Sequence, residues 1–233
     1  MKSLAIMQPY FFPYAGYFQL MASVDTFIVY DDVAFIKQGW IARNRILVNG
    51  QPHIFSIPVA DASSFKLIKD TELHPRLFPI WRGKFLKTLG QAYKSAPHFK
   101  PVYTLVEEVL QQDQLYISGL ATQSLKAVCS YLHIKTNVVE TSAGYCPEFK
   151  GQDRIIAICK QEQATRYLNV PGGKELYSKE AFAENKIELS FIEPNLVPYA
   201  QLSDGFHPAL SMIDVLMCNS KESCLSMLCF LKK

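Results

Sequence analysis

The sequence predicts an α/β protein built on a parallel β-sheet, and three observations lead to this fold class. The 233 residues are 49% hydrophobic and 19% charged, an ordinary composition for a globular protein with a substantial core. Short apolar runs alternate with segments whose apolar residues recur at helical spacing. A strand, a helix and a second strand in succession form a β-α-β unit, whose crossover makes the two strands parallel.

The first such unit lies at the N-terminus. Residues 3–8 are predicted to form a buried strand, residues 14–23 a short helix, and residues 25–30 a second buried strand. The second strand stops at Asp31-Asp32. We expect the helix to cover one face of the two parallel strands.

The middle of the chain predicts a hairpin followed by helices. Asn49-Gly50 lies between two alternating apolar runs and favours a tight turn, because both turn positions need φ > 0. Apolar residues then recur at helical spacing in residues 76–93, 101–112 and 115–132. The sequence therefore predicts a mostly helical insertion at about residues 76–132.

The α/β rhythm returns in the second half of the chain. We expect a single domain over residues 1–233 with a Rossmann-like parallel sheet, the hairpin and the helical insertion; a two-domain split is the weaker alternative. The last helix starts near Pro208 or at Ser211, since Ser211 and Asp214 also match a capping box. The elements predicted here are strands near 137–140, at 165–169 and at 187–192, and helices at 151–162, 174–184 and roughly 208–218.

Composition and patterning argue against several classes of protein. A net charge of +3 is too small for a dedicated nucleic-acid binder, which concentrates basic residues on one surface. No apolar segment reaches the ~20 residues that cross a bilayer, and no signal peptide is recognisable, so we expect a cytoplasmic protein. The six cysteines show neither C-x-x-C nor zinc spacing, which favours free thiols over disulfides or a metal site.

The first candidate site is the aromatic stretch QPYFFPYAGYFQ at residues 8–19, directly after the first strand. In open α/β sheets, ligands bind beyond the carboxyl ends of the strands. Prolines would make the loop rigid, the glycine would let the backbone approach a ligand, and tyrosines would line a pocket. The alternative is an aromatic corner that only fills the core. The candidate residues are Gln8, Tyr10, Tyr14, Gly16 and Tyr17.

This stretch also resembles the HxGH nucleotidyltransferases in form. In that superfamily two histidines and a helix N-terminus hold a triphosphate. Tyr14 and Tyr17 stand in the approximate places of those histidines here. The resemblance implies an HxGH-like version of the Rossmann-like fold, whereas the adenylylation chemistry is less well supported because tyrosine supplies no cation.

The second candidate site is the segment from Asp31 to Arg45, which combines acids, bases and a tryptophan. Paired acids at a strand end can hold Mg²⁺, although adjacent residues of a continuing strand point to opposite faces. The arginines could bind phosphate or carboxylate through two hydrogen bonds each. The alternative is a solvated loop whose acids and arginines pair with each other. The candidate residues are Asp31, Asp32, Lys37, Trp40, Arg43, Asn44 and Arg45.

Two further segments carry weaker signals. Asn169 precedes a strand-to-helix loop with Gly172 and Gly173, whose backbone N–H groups could hold an anion; a plain turn is an equal alternative. His207 precedes the last predicted helix, where a lone histidine is more often structural than catalytic. Asp214 lies within an otherwise apolar helix, so we expect polar partners for its carboxylate.

Taken together, these motifs resemble the WbqC-like family over nearly the whole chain and in order. The matching segments are MQPYFFPYAGYFQL, VDTFIVYDDVAFIKQGWIARNRIL, DRIIAICKQEQATRYLNVPGGKELY and FHPALSMIDVLM. The resemblance implies a protein of bacterial surface-polysaccharide gene clusters, such as those for O-antigen and lipopolysaccharide. It implies no settled reaction and no proven catalytic residue.

From the residues and this resemblance we expect a transferase that modifies a nucleotide-activated sugar, by transferring an acyl or aminoacyl group to an amino sugar. Asp31, Asp32 or His207 would accept the proton from the amine. The alternatives are a small metal-dependent glycosyltransferase and a non-catalytic nucleotide-sugar-binding protein. No cofactor is certain, ATP and Mg²⁺ remain open, no resident metal site is assigned, and a homodimer is compatible with the sequence.

Overall fold

The computed structural model describes residues 1–228 and has a five-stranded parallel sheet at its centre. The sheet has the order β5-β2-β1-β6-β7, and a separate antiparallel hairpin pairs β3 with β4. The Rossmann-like α/β fold predicted from the sequence is confirmed. In chain order the strands are β1 (Ser3–Met7), β2 (Thr26–Val29), β3 (Arg43–Val48), β4 (Gln51–Ser56), β5 (Asn137–Val139), β6 (Arg166–Asn169) and β7 (Glu188–Phe191).

Helices account for most of the remaining regular structure. The predicted helix at 174–184 is divided into a short 3-10 helix, Pro171–Leu176, and a separate α-helix, and the final helix of the described chain was not predicted. The α-helices are α1 (Ala15–Ala22), α2 (Leu77–Tyr93), α3 (Phe99–Gln111), α4 (Ile117–Tyr131), α5 (Gly151–Gln161), α6 (Lys179–Glu184), α7 (Met212–Cys218) and α8 (Lys221–Leu228).

Side chains alternate along the central strands and divide the core between the two sheet faces. Leu4 and Ile6 of β1 pack with α5 and α6, whereas Ala5 packs with the larger cluster on the other face. That larger cluster includes α1, the helices between the hairpin and β5, and α7. Both faces of β1 are therefore covered, as a parallel sheet requires.

The hairpin adopts the turn that its sequence favours. Asn49 has φ 51° and Gly50 has φ 72°, so both turn residues are left-handed. Phe55 of β4 packs on α2 with its ring 4.6 Å from that of Phe85. The Tyr93 hydroxyl at the end of α2 accepts a hydrogen bond of 2.9 Å from the Leu47 N–H. These contacts fix the hairpin beside the sheet.

The strand order reverses between β1 and β6, and this reversal locates the expected ligand edge. From β1 the chain proceeds to β2 and β5 on one side, and later to β6 and β7 on the other. Pairing between β1 and β6 stops at Leu4 and Tyr167, before either strand ends. Ligands of open α/β sheets bind at such a switch point, and the aromatic stretch after β1 begins there.

Residues 1–228 allow two predictions to be checked, the one about membrane-spanning segments and the one about free thiols. No helix within residues 1–228 is long and apolar enough to cross a membrane. The cysteines in this range are free thiols, and the prediction for Cys229 lies outside the described residues. Burial raises the pKa of Cys129 and Cys159 to about 12, so these two thiols are not ionised at neutral pH.

Candidate functional site

A cavity of about 210 Å³ separates the aromatic stretch after β1 from the beginning of β3. Three aromatic side chains and two arginines line it, so it combines apolar walls with positive charge. We call it the ring–arginine cavity. Its lining residues are Tyr10, Pro13, Tyr14, Trp40, Arg43, Asn44, Arg45 and Ala209.

The tip of the aromatic stretch is anchored in the core. Phe11 and Phe12 are fully buried, with their rings edge to face at 4.8 Å. Phe12 has φ 41°, which is uncommon for a bulky residue. The Phe12 N–H donates to Ser124 Oγ at 2.9 Å, and its carbonyl accepts from Ser211 Oγ at 2.7 Å. The buried phenylalanines thus hold the loop while tyrosines on either side face the cavity.

Asn44 fastens the aromatic stretch to β3. Its Nδ2 donates to the carbonyls of Phe11 at 3.1 Å and Phe12 at 2.6 Å, and its Oδ1 accepts from the Arg45 N–H at 2.8 Å. The side chain is buried, so these bonds are shielded from water. Asn44 therefore sets the separation of the two cavity walls.

The two arginines of the cavity carry charge that no nearby acid neutralises. Arg43 Nη1 donates to the Gln38 carbonyl at 2.7 Å, and Arg45 Nη2 donates to the Ala209 carbonyl at 3.1 Å. The Arg45 guanidinium lies 5.7 Å from the centre of the Trp40 ring, and its Nε is buried and has no hydrogen-bond partner in the described part of the chain. Among residues 1–228, neither arginine has a carboxylate within 4.0 Å.

An adjoining open groove of about 620 Å³ shares Arg43 with the ring–arginine cavity. Lys37, which was predicted as a binding residue, lies here rather than in the cavity. We call this feature the lysine groove. Its lining residues are Phe35, Lys37, Gln38, Gly39, Ala42, Arg43, Ser56, Ile57, Val59 and Ala62.

Three residues of the first candidate site lie at or behind the cavity wall. Gly16 lies in α1, where an added Cβ would come within 2.4 Å of the Tyr14 ring and 2.7 Å of Pro194. Tyr17 is 1% exposed, and its hydroxyl donates to the Gln8 carbonyl at 2.7 Å. Gly16 and Tyr17 thus support the packing of the wall, and a direct contact between them or Gln8 and a ligand remains a prediction.

Asp31 and Asp32 lie in a different cluster, at the end of β2. Thr141 Oγ1 donates to Asp31 Oδ1 at 2.7 Å, and the Ser142 hydroxyl donates to Asp32. Arg154 Nη2 binds Asp32 Oδ2 at 2.5 Å, with both side chains largely buried. The structure therefore brings Asp32 to Arg154 of α5 rather than to Arg43 or Arg45.

The two carboxyl groups have opposite pKa shifts. Burial raises the pKa of Asp31, although hydrogen bonds from Thr141 and Ser142 partly offset this. Burial also opposes ionisation of Asp32, but hydrogen bonds from Arg154 and Ser142 and the arginine charge outweigh it and lower the pKa. Asp32 is consequently a carboxylate at neutral pH.

Arg154 is a residue that sequence reasoning missed as a partner of this pair. Its Nη2 also donates to the carbonyls of Ser142 at 3.1 Å and Tyr145 at 2.9 Å, and its guanidinium lies 5.4 Å from the Tyr30 ring centre. It borders an open cavity of about 320 Å³ beside Asp32. The sequence signal for this cluster was the pair Asp31-Asp32. Nothing near that pair in the sequence indicates that Arg154, more than a hundred residues later, binds it.

The glycine loop after β6 is also separate from the ring–arginine cavity. Asn169 is buried; its Nδ2 donates to the Tyr167 hydroxyl at 3.2 Å, and its Oδ1 accepts from the Val170 N–H at 2.7 Å. A Cβ at Gly173 would come within 2.7 Å of Asn169. Gly172 has open space around it. Anion binding by this loop remains a prediction.

His207 lies close to the cavity through Ala209. It lines a small neighbouring cavity of about 20 Å³ that also includes Ala209. The Gln201 side chain holds the His207 backbone, accepting from its N–H at 2.7 Å and donating to its carbonyl at 3.1 Å. His207 therefore lines a cavity next to the ring–arginine cavity but not the ring–arginine cavity itself, and its role as proton acceptor remains a prediction.

Asp214 has the polar partners that its apolar helix led us to expect. Tyr93 and Tyr199 donate to its carboxylate at 2.7 and 2.6 Å, and Gln201 Nε2 donates at 3.0 Å. Burial raises the pKa of Asp214 despite these bonds. Sequence patterning did not identify these partners: Tyr93 comes from α2, more than a hundred residues earlier, and Tyr199 and Gln201 lie in the irregular segment before α7.

No group of three or more His, Cys, Asp or Glu side chains within the described residues is arranged to hold a metal ion. The acids predicted as Mg²⁺ ligands instead form the internal hydrogen bonds described above. A role of these acids with Mg²⁺ stays a hypothesis without a supporting arrangement.

Comparison with known proteins gives two findings. The model of the WbqC-like protein family matches residues 8–225. The chain is also 31% identical over 219 residues to "Uncharacterized protein Rv1507c" of Mycobacterium tuberculosis, an alignment that covers 93% of each chain. No solved structure matches significantly. With its aromatic stretch, its arginines and its last buried helix all inside the matched range, this chain belongs to the WbqC-like protein family.

Proposed function

We propose that this protein is a transferase of surface-polysaccharide biosynthesis that binds a nucleotide-activated amino sugar and transfers an acyl or aminoacyl group to its amine. The observation that carries the proposal is the ring–arginine cavity. Tyr10, Tyr14 and Trp40 offer ring faces to a sugar, and Arg43 and Arg45 offer unneutralised charge to its phosphate groups. We expect the reaction to take place in the cytoplasm, where nucleotide-activated sugars are made.

The charge balance of the cavity favours an anionic ligand over a neutral one. Placing two arginines in a partly apolar cavity costs desolvation free energy. An opposing charge would offset part of this cost. A phosphate group bound by the two guanidinium groups would supply that charge.

The proposed chemical step is amide formation. The sugar amine attacks the carbonyl carbon of an activated acyl donor, the C–N bond forms, and the bond to the donor's leaving group breaks. In this proposal His207 accepts the proton that the amine nitrogen loses. It lines the small neighbouring cavity, which shares Ala209 with the ring–arginine cavity. Asp31 and Asp32 then serve to hold the loop after β5 and α5 in place.

Ligand binding can be tested by thermal denaturation with UDP-sugars, dTDP-amino-sugars and ATP. A ligand that binds only the folded state adds about 2.7 kcal/mol of stability at a hundredfold excess over its dissociation constant. We expect a raised melting temperature with nucleotide-linked amino sugars, and its loss in Arg45→Ala. The matched control is Arg76→Ala, because Arg76 is exposed and far along the chain from the cavity segments.

Absence of any shift with nucleotide sugars, at concentrations up to the millimolar range, would contradict the proposal. A ligand-induced shift that survives in Arg45→Ala would place binding elsewhere. Activity abolished by EDTA with release of UDP or dTDP would instead support a metal-dependent glycosyltransferase. Binding without turnover in the presence of ATP and acyl donors would support a non-catalytic protein.

The role of His207 is tested by kinetics of the acylated product, followed by mass spectrometry. We expect His207→Gln to lower kcat by about 10²–10⁴-fold, the usual contribution of a general base. KM for the sugar should change little, because the side chain acts on the proton rather than on sugar binding. An unchanged kcat, or a rise in KM alone, would remove His207 from the mechanism.

A further inference from the structure

We propose that the lysine groove is the nucleoside subsite of this transferase, with the diphosphate of the ligand lying at Arg43 and Lys37 between groove and cavity. The sugar then occupies the ring–arginine cavity, next to His207. This inference rests on the proposed function. It adds the orientation of the ligand and assigns a binding role to the groove.

The sizes of the two spaces support this division. Pockets for small molecules usually have volumes of about 300–1,000 Å³. The ring–arginine cavity, at about 210 Å³, is too small for a whole nucleotide-activated sugar. The groove, at about 620 Å³, is the larger space and suits the larger half of such a molecule.

The position of Arg43 supports the placement of the diphosphate. Arg43 lines both spaces, so an anion bound to it lies at their junction. One of its guanidinium nitrogens bonds to the Gln38 carbonyl, which orients the group and leaves other N–H donors for a ligand. In a nucleotide sugar the diphosphate is likewise the link between the nucleoside and the sugar.

Lys37 adds a second cation on the groove side. Neither Lys37 nor Arg43 has a carboxylate within 4.0 Å in the part of the chain that the structure describes. Within the described residues, the charges of Lys37 and Arg43 are therefore not neutralised by a carboxylate. Gln38 and Ser56 contribute polar groups to the groove lining, and Phe35 and Ile57 contribute apolar wall, a combination that suits a base and a ribose.

The proposed orientation of the ligand predicts that two substitutions will differ in their effects on the binding of free nucleoside diphosphates and of nucleotide sugars. The probes are UDP and dTDP, each with and without an attached amino sugar, measured by isothermal titration calorimetry. Lys37→Ala should weaken binding of the free diphosphates and of the nucleotide sugars alike, by about tenfold, because it removes a charge-assisted hydrogen bond. Trp40→Ala should weaken only the nucleotide sugars, because the free diphosphates leave the cavity empty.

Lys84→Ala is the matched control, since Lys84 is an exposed lysine of α2 that forms no ion pair with any of residues 1–228. Both Lys37 and Trp40 lie on an exposed loop, and circular dichroism should show that each variant folds. The binding constant of the wild type should also fall more steeply with salt than that of Lys37→Ala, because the variant has one fewer ligand-facing charge.

The outcomes separate this inference from the proposed function. If the wild type binds no nucleotide sugar, both fail. If it binds nucleotide sugars and loses them in Arg45→Ala, but Lys37→Ala changes nothing, the groove is not the nucleoside subsite and the proposed function stands. If Trp40→Ala weakens the free diphosphates as strongly as the nucleotide sugars, the orientation is reversed and the inference is overturned.

Discussion

Gly16 has a packing role that can be tested independently of any ligand. A methyl group at this position would lie 2.4 Å from the Tyr14 ring and 2.7 Å from Pro194. We expect Gly16→Ala to destabilise the fold by about 1–3 kcal/mol through overpacking. It should also displace Tyr14 and weaken ligand binding. Urea denaturation measures the first effect and calorimetry the second.

Gly83→Ala is the control for this substitution. Gly83 lies in α2 with no atom near the position of a Cβ. Alanine there should stabilise the helix by about 0.5–1 kcal/mol, because it removes the conformational cost of a helical glycine. We therefore expect Gly16→Ala to lower the free energy of unfolding and Gly83→Ala to raise it. A stabilising Gly16→Ala would show that Tyr14 moves without cost and that the wall is not tightly packed.

The Asp32–Arg154 pair predicts a defined pH dependence of stability. The pKa of Asp32 is lowered in the folded state, so its contribution is complete above the ordinary aspartate pKa of 3.8 and is lost as the pH falls below that value. Asp32→Asn should cost about 3 kcal/mol at pH 7, because it leaves a buried arginine unpaired. The difference from the wild type should close as the pH is lowered through the range below 3.8.

Melting temperatures of both proteins between pH 3 and 8 provide the measurement, with Asp113→Asn as an exposed control. A stability difference that grows on acidification would contradict the assigned direction of the pKa shift. A difference that is already absent at neutral pH would show that the pair contributes no net stability.

At the scale of elements, the hydrogen bonds of Tyr93 connect the hairpin, α2 and α7. Its hydroxyl accepts from the Leu47 N–H and donates to Asp214, and all three residues are buried. Tyr93→Phe should destabilise the protein by about 1–3 kcal/mol, because it leaves the buried Leu47 N–H without its acceptor and removes one of the donors to the Asp214 carboxylate. Urea denaturation is the appropriate measurement.

Tyr103→Phe is the matched control for this loss. Tyr103 of α3 packs against Phe99, and its hydroxyl makes no hydrogen bond among those found within residues 1–228. Its removal should change the free energy of unfolding by less than about 0.5 kcal/mol. Equal costs for the two tyrosines would mean that the network is not responsible for the stability of the hairpin contact.

The elements themselves could largely be predicted from the sequence, and the exceptions have physical reasons. The hairpin was marked by Asn49-Gly50, and the capping serine Ser211 accepts from the Ile213 N–H at 3.3 Å. Residues 174–184 were predicted as one helix, but a 3-10 helix that starts at Pro171 ends at Leu176, and Ser178 caps a separate helix, α6. Helix α8 has only eight residues, too few for helical periodicity to be recognised.

The candidate site could be predicted only as separate segments. Tyr10, Pro13 and Tyr14 follow the end of β1, where the sequence alone already favours ligand contacts, whereas Arg43, Asn44 and Arg45 lie at the beginning of β3. Ala209, Gln201 and Arg154 could not be assigned, because each reaches its place through contacts between distant parts of the chain. A single sequence carries no signal for such pairings.

At the scale of the whole molecule, the free energy of local opening should decrease from the centre of the sheet to the hairpin. β1 is covered on both faces and paired on both sides, whereas most of β4 is exposed. Amide hydrogens of β1 should therefore exchange only on global unfolding, and those of β4 more rapidly through local opening. Hydrogen exchange followed by mass spectrometry tests this. Equally slow exchange in β4 would show that the hairpin opens only with the sheet.

The central position of β1 has a consequence for how the chain must form. β1 is synthesised before both of its neighbours: it pairs on one side with Thr26–Val29, which follows soon after, and on the other with Arg166–Asn169, which is made much later. Until then the nascent chain presents an unpaired apolar edge, which is prone to aggregate. Fragments that end before residue 166 should accordingly be recovered as inclusion bodies rather than as partial folds.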